Sequence, residues 1–169
     1  MDRQKSLHQK EEVHLIPNED GSIACRCLQK GKDLWAHSTP RSREEALQPI
    51  RDIRVDSFGL VIVWQSGLGY LPAELRDIRS RASSSFRMIV VENRNAVFRA
   101  SLKVTDYYGL LNSRSTYFFV GEESEENLLT FLHEYPWLAT KGITVLPGSQ
   151  FPEAESELER IRSRVHKIE

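Results

Sequence analysis

The stretch that decides the fold is LVIVWQSGLGYLPAEL, residues 60–75. Its first five residues form a continuous apolar run, which is typical of a parallel strand covered on both faces. Gly67 and Gly69 then form a Gly-x-Gly turn, and the residues after it have helical spacing, with Leu71, Leu75, Ile78 and Ala82 on one face. The order strand, glycine turn, helix is that of a Rossmann-type unit, whose turn presents free backbone N–H groups to an anionic ligand.

A second signal for ligand binding lies at the end of the next apolar run. FRMIVVE, residues 86–92, reads as another buried strand and ends in Glu92. An acid at about this offset from the glycines commonly accepts hydrogen bonds from ribose hydroxyls. A solvated acid at a strand end is the alternative, and Pro72 stands where the dinucleotide fingerprint has its third glycine.

Strand and helix patterns continue to alternate towards the C-terminus. STYFFVG (115–121) and GITVLPG (142–148) read as strands, NAVFRASLKV (95–104) as a helix, and SEENLLTFLHEY (124–135) as a helix capped by Ser124. Such alternation predicts crossovers and a parallel sheet. We therefore predict an α/β fold, an incomplete Rossmann-like parallel sheet with helices on both faces.

The residues before this region predict a small antiparallel sheet. After a charged N-terminus, three short strand patterns, VHLIP, SIACRCLQ and LWAHS, are separated by turn formers. Cys25 and Cys27 would share the inward face of the middle strand. We predict residues 1–38 as the charged N-terminus with a β-meander, and residues 39–169 as the Rossmann-like domain.

A helix follows the meander, with Ser42 and Glu45 as a capping box and Ala46, Leu47, Ile50 and Ile53 on one face.

The last predicted helix carries an apolar seam. Its members alternate in steps of four and three: Ala154, Leu158, Ile161, Val165 and Ile168. This is a heptad pattern barely two heptads long. It predicts either a helix facing the core or one that associates with a partner.

Composition narrows the classes of function. The net charge is -1, so no overall basic field attracts nucleic acid. No stretch approaches the length of a membrane span, and no signal peptide pattern opens the sequence; we expect a cytoplasmic protein. The five histidines show no metal-ligand spacing, and there is no P-loop or G-x-S-x-G elbow. Trp64 could stack on a base, but a tryptophan in a buried strand more often belongs to the core.

Several of these motifs together resemble motility accessory factors, which are flagellin glycosyltransferases that use activated nonulosonic acids. The resemblance covers roughly residues 34–121 and rests on four stretches: WAHSTPRSREEA, VIVWQSGLGYLPAEL, IVVENRNAVFRASL and FFVG. The family positions correspond to His37 and Ser38, Pro40, Glu45 and Ala46, Gly67 to Tyr70, Glu92, and Phe98. Gln65 and Ser66, and the pair Asn93 and Arg94, depart from the family pattern.

Position at the glycine turn and at the end of the next strand predicts a site for a nucleotide-type ligand, and its residues are Gly67, Leu68, Gly69, Tyr70, Glu92 and Asn93. The resemblance implies a CMP-sugar as this ligand and a catalytic glycosyltransferase or flagellin as partner, whereas a methyltransferase-like protein would bind S-adenosylmethionine. The family's transfer chemistry is placed in a larger downstream domain, so we expect a binding or docking module that is not catalytic alone. The alternatives are a small S-adenosylmethionine-dependent methyltransferase-like protein and a non-catalytic scaffold.

Overall fold

The structure, a computed structural model, describes residues 11–29, 31–81 and 85–168. The charged segment 1–10 and Ala82, both part of the sequence predictions, lie outside the described residues.

Three antiparallel strands form the predicted meander. They are β1 (Glu12–Pro17), β2 (Ile23–Gln29) and β3 (Lys32–His37), hydrogen-bonded in the order β1-β2-β3. Cys25 and Cys27 are both buried and free, on the inward face that alternation along β2 predicts. They pack with Leu68 and Val97 of the following region, so the meander covers one end of the larger sheet instead of standing alone.

The second sheet has four parallel strands in the order β6-β5-β4-β7. The strands are β4 (Leu60–Trp64), β5 (Arg87–Glu92), β6 (Thr116–Val120) and β7 (Ile143–Pro147). The helices are α1 (Ser42–Ala46), α2 (Tyr70–Arg81), α3 (Asn95–Val104), α4 (Tyr108–Leu111), α5 (Ser124–Glu134) and α6 (Ala154–His166). The chain runs from β4 outward through β5 to β6 and then returns to place β7 on the other side of β4.

Side chains of β4 alternate between two cores, one on each face of the sheet. Leu60, Ile62 and Trp64 pack with residues of α5 and α6, whereas Val61 and Val63 pack with residues of α2 and α4. A strand buried on both faces needs apolar residues at every position, which explains the continuous run in the sequence. The predicted α/β class, with helices on both faces of a parallel sheet and a meander before it, is confirmed.

The apolar seam of α6 faces the sheet. Leu158, Ile161 and Val165 are buried against β4 and its neighbours, and Ile168 packs partly against the same core. The side chain of Ala154 is outside the described set. The first alternative, a core-facing helix, accounts for the part of the seam that is described.

Two predicted helix caps are wrong. The N-cap of α1 is Arg41, and the hydroxyl of Ser42 donates to the Ser38 carbonyl, while Glu45 accepts from the backbone and hydroxyl of Ser38. Ser124 is the first residue of α5 and does not cap it. Both serines lie one position inside the helix, because the N-cap residue is Arg41 in α1 and Glu123 in α5.

The first helix is also shorter than its apolar pattern predicts. α1 ends at Ala46, and a 3₁₀ turn, Gln48–Ile50, follows it. Pro49 explains the break, because proline has no N–H to donate and disfavours helical geometry in the residue before it. Leu47, Ile50 and Ile53 still pack against the core, partly buried, as their spacing predicts.

No helix in the described part of the chain has both the length and the apolar character that crossing a membrane requires.

Candidate functional site

The carboxyl end of β4 leads into the predicted glycine turn. Gly67 has φ +58° and Gly69 has φ +82°, both in the left-handed region where glycine is favoured. Gln65, directly after the strand, also has a positive φ of 51° although it is not a glycine. Such backbone strain persists only where surrounding contacts hold it, and Gln65 is 1% exposed.

The turn bonds directly to the predicted acid. Gly67 donates its backbone N–H to Glu92 Oε2 at 2.9 Å, and the other carboxylate oxygen, Oε1, accepts from the backbone N–H of Arg94 at 3.0 Å. Glu92 is completely buried. Burial raises its pKa to about 7, against the opposing effect of the two N–H donors. Glu92 therefore links the corner after β4 to the corner after β5.

A histidine from the meander fills the other side of the turn. The backbone N–H of Leu68 donates to His37 Nε2 at 3.0 Å, so this nitrogen is unprotonated and the neutral ring carries its proton on Nδ1. His37 is completely buried, and desolvation lowers its pKa to about 4. A Cβ at Gly67 would overlap His37 Nε2 and lie 3.0 Å from the Cβ of Ser149.

Tyr107 closes the space above the second glycine. A Cβ at Gly69 would overlap the Tyr107 hydroxyl and lie 2.7 Å from its Cζ. The phenol is nearly buried, and burial raises the pKa of Tyr107 to about 12. Both glycines thus make room for side chains of the protein itself, and the N–H groups of Gly67 and Leu68 already have acceptors.

The two other residues of the turn anchor it to the meander. The side chain of Leu68 is completely buried beside Cys25 and Cys27. The Tyr70 hydroxyl accepts from the backbone N–H of Ile23 at 2.7 Å and donates to its carbonyl at 3.0 Å. These contacts fix the start of α2 against β2.

A cavity of about 720 Å³ opens at the next corner, where β5 leads into α3. We call it the basic cavity. Its polar wall is formed by basic and amide side chains together with two acids: Asn93, Arg94, Asn95, Arg99, Lys103, Gln29, Glu11 and Glu122. The apolar part of the wall comes from Val13 and Leu15 of β1 and from Ala96 and Ala100 of α3. This volume lies within the usual range for small-molecule sites.

Two exposed cations line the basic cavity. Arg99 and Lys103 are four residues apart and therefore on one face of α3. Both are exposed, and within the described ranges neither forms an ion pair. The first turn of α3 also borders the cavity, and the positive end of its helix dipole favours an anion there.

Arg94 has a different role, because its contacts hold it in place. Its guanidinium lies 3.7 Å above the ring of Phe151 and pairs with Glu11 at 3.4 Å and Glu153 at 3.5 Å. Arg94 Nη1 and Asn93 Oδ1 are buried, and neither has a hydrogen-bond partner among the residues that the structure describes. They are a donor and an acceptor beside the cavity that a polar ligand could satisfy.

The structure brings the six predicted site residues to one region but divides them. Contacts within the protein already occupy Gly67, Leu68, Gly69 and Glu92. The Tyr70 hydroxyl is hydrogen-bonded to the backbone of Ile23 in the meander. Asn93 lines the basic cavity. That Glu92 accepts ribose hydroxyls stays a prediction; a ribose would have to reach a side chain with no exposed surface.

Sequence reasoning did not find the residues that complete this region. No sequence motif marks Tyr107, Arg99 or Lys103, and His37 stands out only as part of the family-like HS..P segment. The helical spacing of Arg99 and Lys103 was the one signal in the sequence that could have marked a basic face. Across residues 11–29, 31–81 and 85–168 no three His, Cys, Asp or Glu side chains are grouped as a metal site requires.

No protein-family model matches the chain, and no curated protein matches it. Among solved structures it is similar to MnmC2 from Aquifex aeolicus, with a TM-score of 0.52 and 12% sequence identity. The match covers 91% of this chain, which spans 65% of the length of the solved one. At this identity the likeness shows a shared α/β fold.

Proposed function

We propose that the chain is a binding module for a nucleotide-type ligand and that the basic cavity holds this ligand. The observation that carries the proposal is the cavity of about 720 Å³ at the carboxyl end of β5, lined by Arg99 and Lys103, which form no ion pair with any residue that the structure describes. In open parallel sheets, ligands bind beyond the carboxyl ends of the strands. A phosphate or carboxylate group of the ligand would meet the two cations, and its apolar parts would face β1.

The residues that line the basic cavity indicate the chemical groups that its ligand should carry. Arg99 and Lys103 suit an anionic group, Val13 and Leu15 suit a ring, and the buried Asn93 Oδ1 and Arg94 Nη1 suit an edge with one donor and one acceptor. A CMP-sugar combines all three features. S-adenosylmethionine offers the ring and a carboxylate but also a sulfonium cation, which the two basic side chains would repel.

Calorimetric titration with CMP, a CMP-sugar and S-adenosylmethionine tests this assignment. We expect CMP and the CMP-sugar to bind, and Arg99→Glu to weaken them by at least about tenfold, the scale of a lost charged hydrogen bond. Arg114→Glu is the matched control, because it makes the same change of charge on an exposed residue before β6, at the opposite end of the sheet. If none of the three compounds binds at millimolar concentration, or if both variants bind equally well, the proposal is wrong.

The proposal extends to a protein partner. The resemblance to motility accessory factors supports a catalytic glycosyltransferase or flagellin in this role, with the module supplying or positioning the nucleotide-linked sugar. Incubating the chain with flagellin and an activated nonulosonic acid should leave the flagellin mass unchanged, whereas a partner enzyme should increase it by one sugar. A mass increase with this chain alone would contradict the non-catalytic role.

A further inference from the structure

A second cavity lies at the carboxyl end of β7. Its volume is about 450 Å³, and we call it the proline cavity. It is bounded by the segment Pro147–Pro152, by the first turns of α6, and by Glu45–Pro49 from the end of α1 and the turn after it. β7 and β4 are the neighbouring strands at which the chain reverses its direction across the sheet, and crevices for ligands form at such points in doubly wound folds.

The walls of the proline cavity are apolar and stiff. Pro49, Pro147 and Pro152 contribute rings with fixed backbone geometry, and Phe151 and Leu158 are buried beside them. A site made of such residues loses little conformational entropy when a flat molecule enters it. This favours a ligand with a compact ring.

The charges on the wall have one sign. Glu45 and Glu155 line the proline cavity, and none of the described residues that line it is a Lys or Arg. Glu45 is held in place because both its oxygens accept from Ser38 at 2.9 Å. Glu155 is exposed and forms no ion pair in the described part of the chain. Glu155 also stands in the first turn of α6 with Glu157, so acidic side chains already satisfy the positive end of that helix. An anionic ligand is therefore disfavoured, and a cation is favoured.

The two cavities are separated by one stacked pair. Arg94 lines the basic cavity, Phe151 lines the proline cavity, and the guanidinium of Arg94 lies 3.7 Å above the Phe151 ring. The two cavities differ in position and also in the charge of the side chains that line them. A ligand of the proline cavity does not need the nucleotide-type ligand of the basic cavity.

We propose that the proline cavity is a second binding site, which takes a small organic cation with a flat ring. The ring packs between the prolines, and the cationic group lies against the carboxylates of Glu45 and Glu155. This inference does not depend on the function proposed above, because it concerns a different cavity with the opposite charge.

The test uses tryptamine as a cationic probe and indole-3-propionate as an anion with the same ring. Amide NMR spectra of the full chain should show saturable shifts for residues 148–151 and 155–158 with millimolar tryptamine and none with indole-3-propionate. Glu155→Gln should weaken tryptamine by about three- to fivefold, the scale of one exposed charge pair. Glu126→Gln, the same change in the first turn of α5, should leave its affinity unchanged.

A variant that fills the proline cavity tests whether tryptamine binds there. Gln150 is exposed at the rim, so Gln150→Trp should fill the cavity without disturbing the core and should abolish the tryptamine shifts. CMP titration of the same variant should be unaltered, which separates this result from the fate of the nucleotide site. The proposal is overturned if tryptamine produces no saturable shifts, if indole-3-propionate binds equally well, or if Gln150→Trp binds tryptamine like the wild type.

Discussion

The corner after β4 and the corner after β5 are built alike, since in each a buried parallel strand turns into a helix, yet one is closed and the other is open. At the first corner, His37 and Glu92 accept from the turn N–H groups, and Tyr107 covers Gly69. At the second, Asn93 and Asn95 border a cavity of about 720 Å³. A glycine turn can therefore keep its geometry while side chains of the protein occupy the position of a ligand.

The closed corner should be the less tolerant of an added side chain. Gly67→Ala has to adopt a left-handed conformation and also displace the buried His37 ring. We expect a loss of about 2 to 5 kcal/mol in the free energy of unfolding, from about 1 to 2 for the backbone and about 1 to 3 for overpacking. Urea unfolding measures it.

Gly21→Ala is the matched control for this prediction. Gly21 also has a positive φ, 80°, but a Cβ there would have no atom within 4 Å. We expect the backbone cost alone, about 1 to 2 kcal/mol. Equal losses for the two variants would mean that the corner after β4 is not closed by His37.

The pH dependence of stability should reveal two opposing buried groups at the closed corner. The folded-state pKa of Glu92 is about 7, above its ordinary 4.5, so its contribution is fully present below pH 4.5 and is lost as the pH rises through 7. The pKa of His37 falls from 6.5 to about 4, so its contribution is present above pH 6.5 and is lost as the pH falls through 4. Between pH 4.5 and 6.5 the two slopes nearly cancel.

Substituting each group should expose the slope of the other. In Glu92→Gln the free energy of unfolding should rise with pH by about 1 kcal/mol per unit over this range, and in His37→Gln it should fall by about as much. Urea titrations at several pH values measure both slopes. Two variants with the same sign of slope would contradict the placement of these side chains.

Salt should weaken CMP binding at the corner after β5 and should change the pH dependence of stability at the corner after β4 very little. Exposed cations are screened, so raising the salt concentration from about 0.05 to about 0.5 M should weaken CMP binding several-fold. The buried Glu92 and His37 are screened much less, and the pH slopes of their variants should change little. A CMP affinity that does not depend on salt would argue against the role of Arg99 and Lys103.

The fold was predictable because its signals are local. The continuous apolar run 60–64 and the helical spacing of Leu71 and Leu75 each depend on neighbouring residues, and both appear as predicted. The break after Ala46 could also have been read, since Pro49 is visible in the sequence. The apolar periodicity of residues 46–53 continues across Pro49, but the missing N–H of this proline breaks the helix.

The state of the site was not predictable in the same way. The partners of the turn come from distant parts of the chain: His37 lies 31 positions before Leu68, and Glu92 lies 25 positions after Gly67. The motif shows that the turn can present N–H groups to an acceptor. Whether the acceptor is a ligand or a side chain depends on how the meander packs across the sheet, and no local pattern encodes that.

An amide NMR titration of the full chain with CMP locates the ligand at one corner or the other. We expect the largest shifts at residues 93–103, around the basic cavity, with Gly67, Leu68 and Gly69 nearly unmoved because their contacts to Glu92, His37 and Tyr107 persist. Large shifts at Gly67–Gly69 with small ones at residues 93–103 would show that the glycine turn opens to take the ligand, and would contradict a turn filled by side chains of the protein itself.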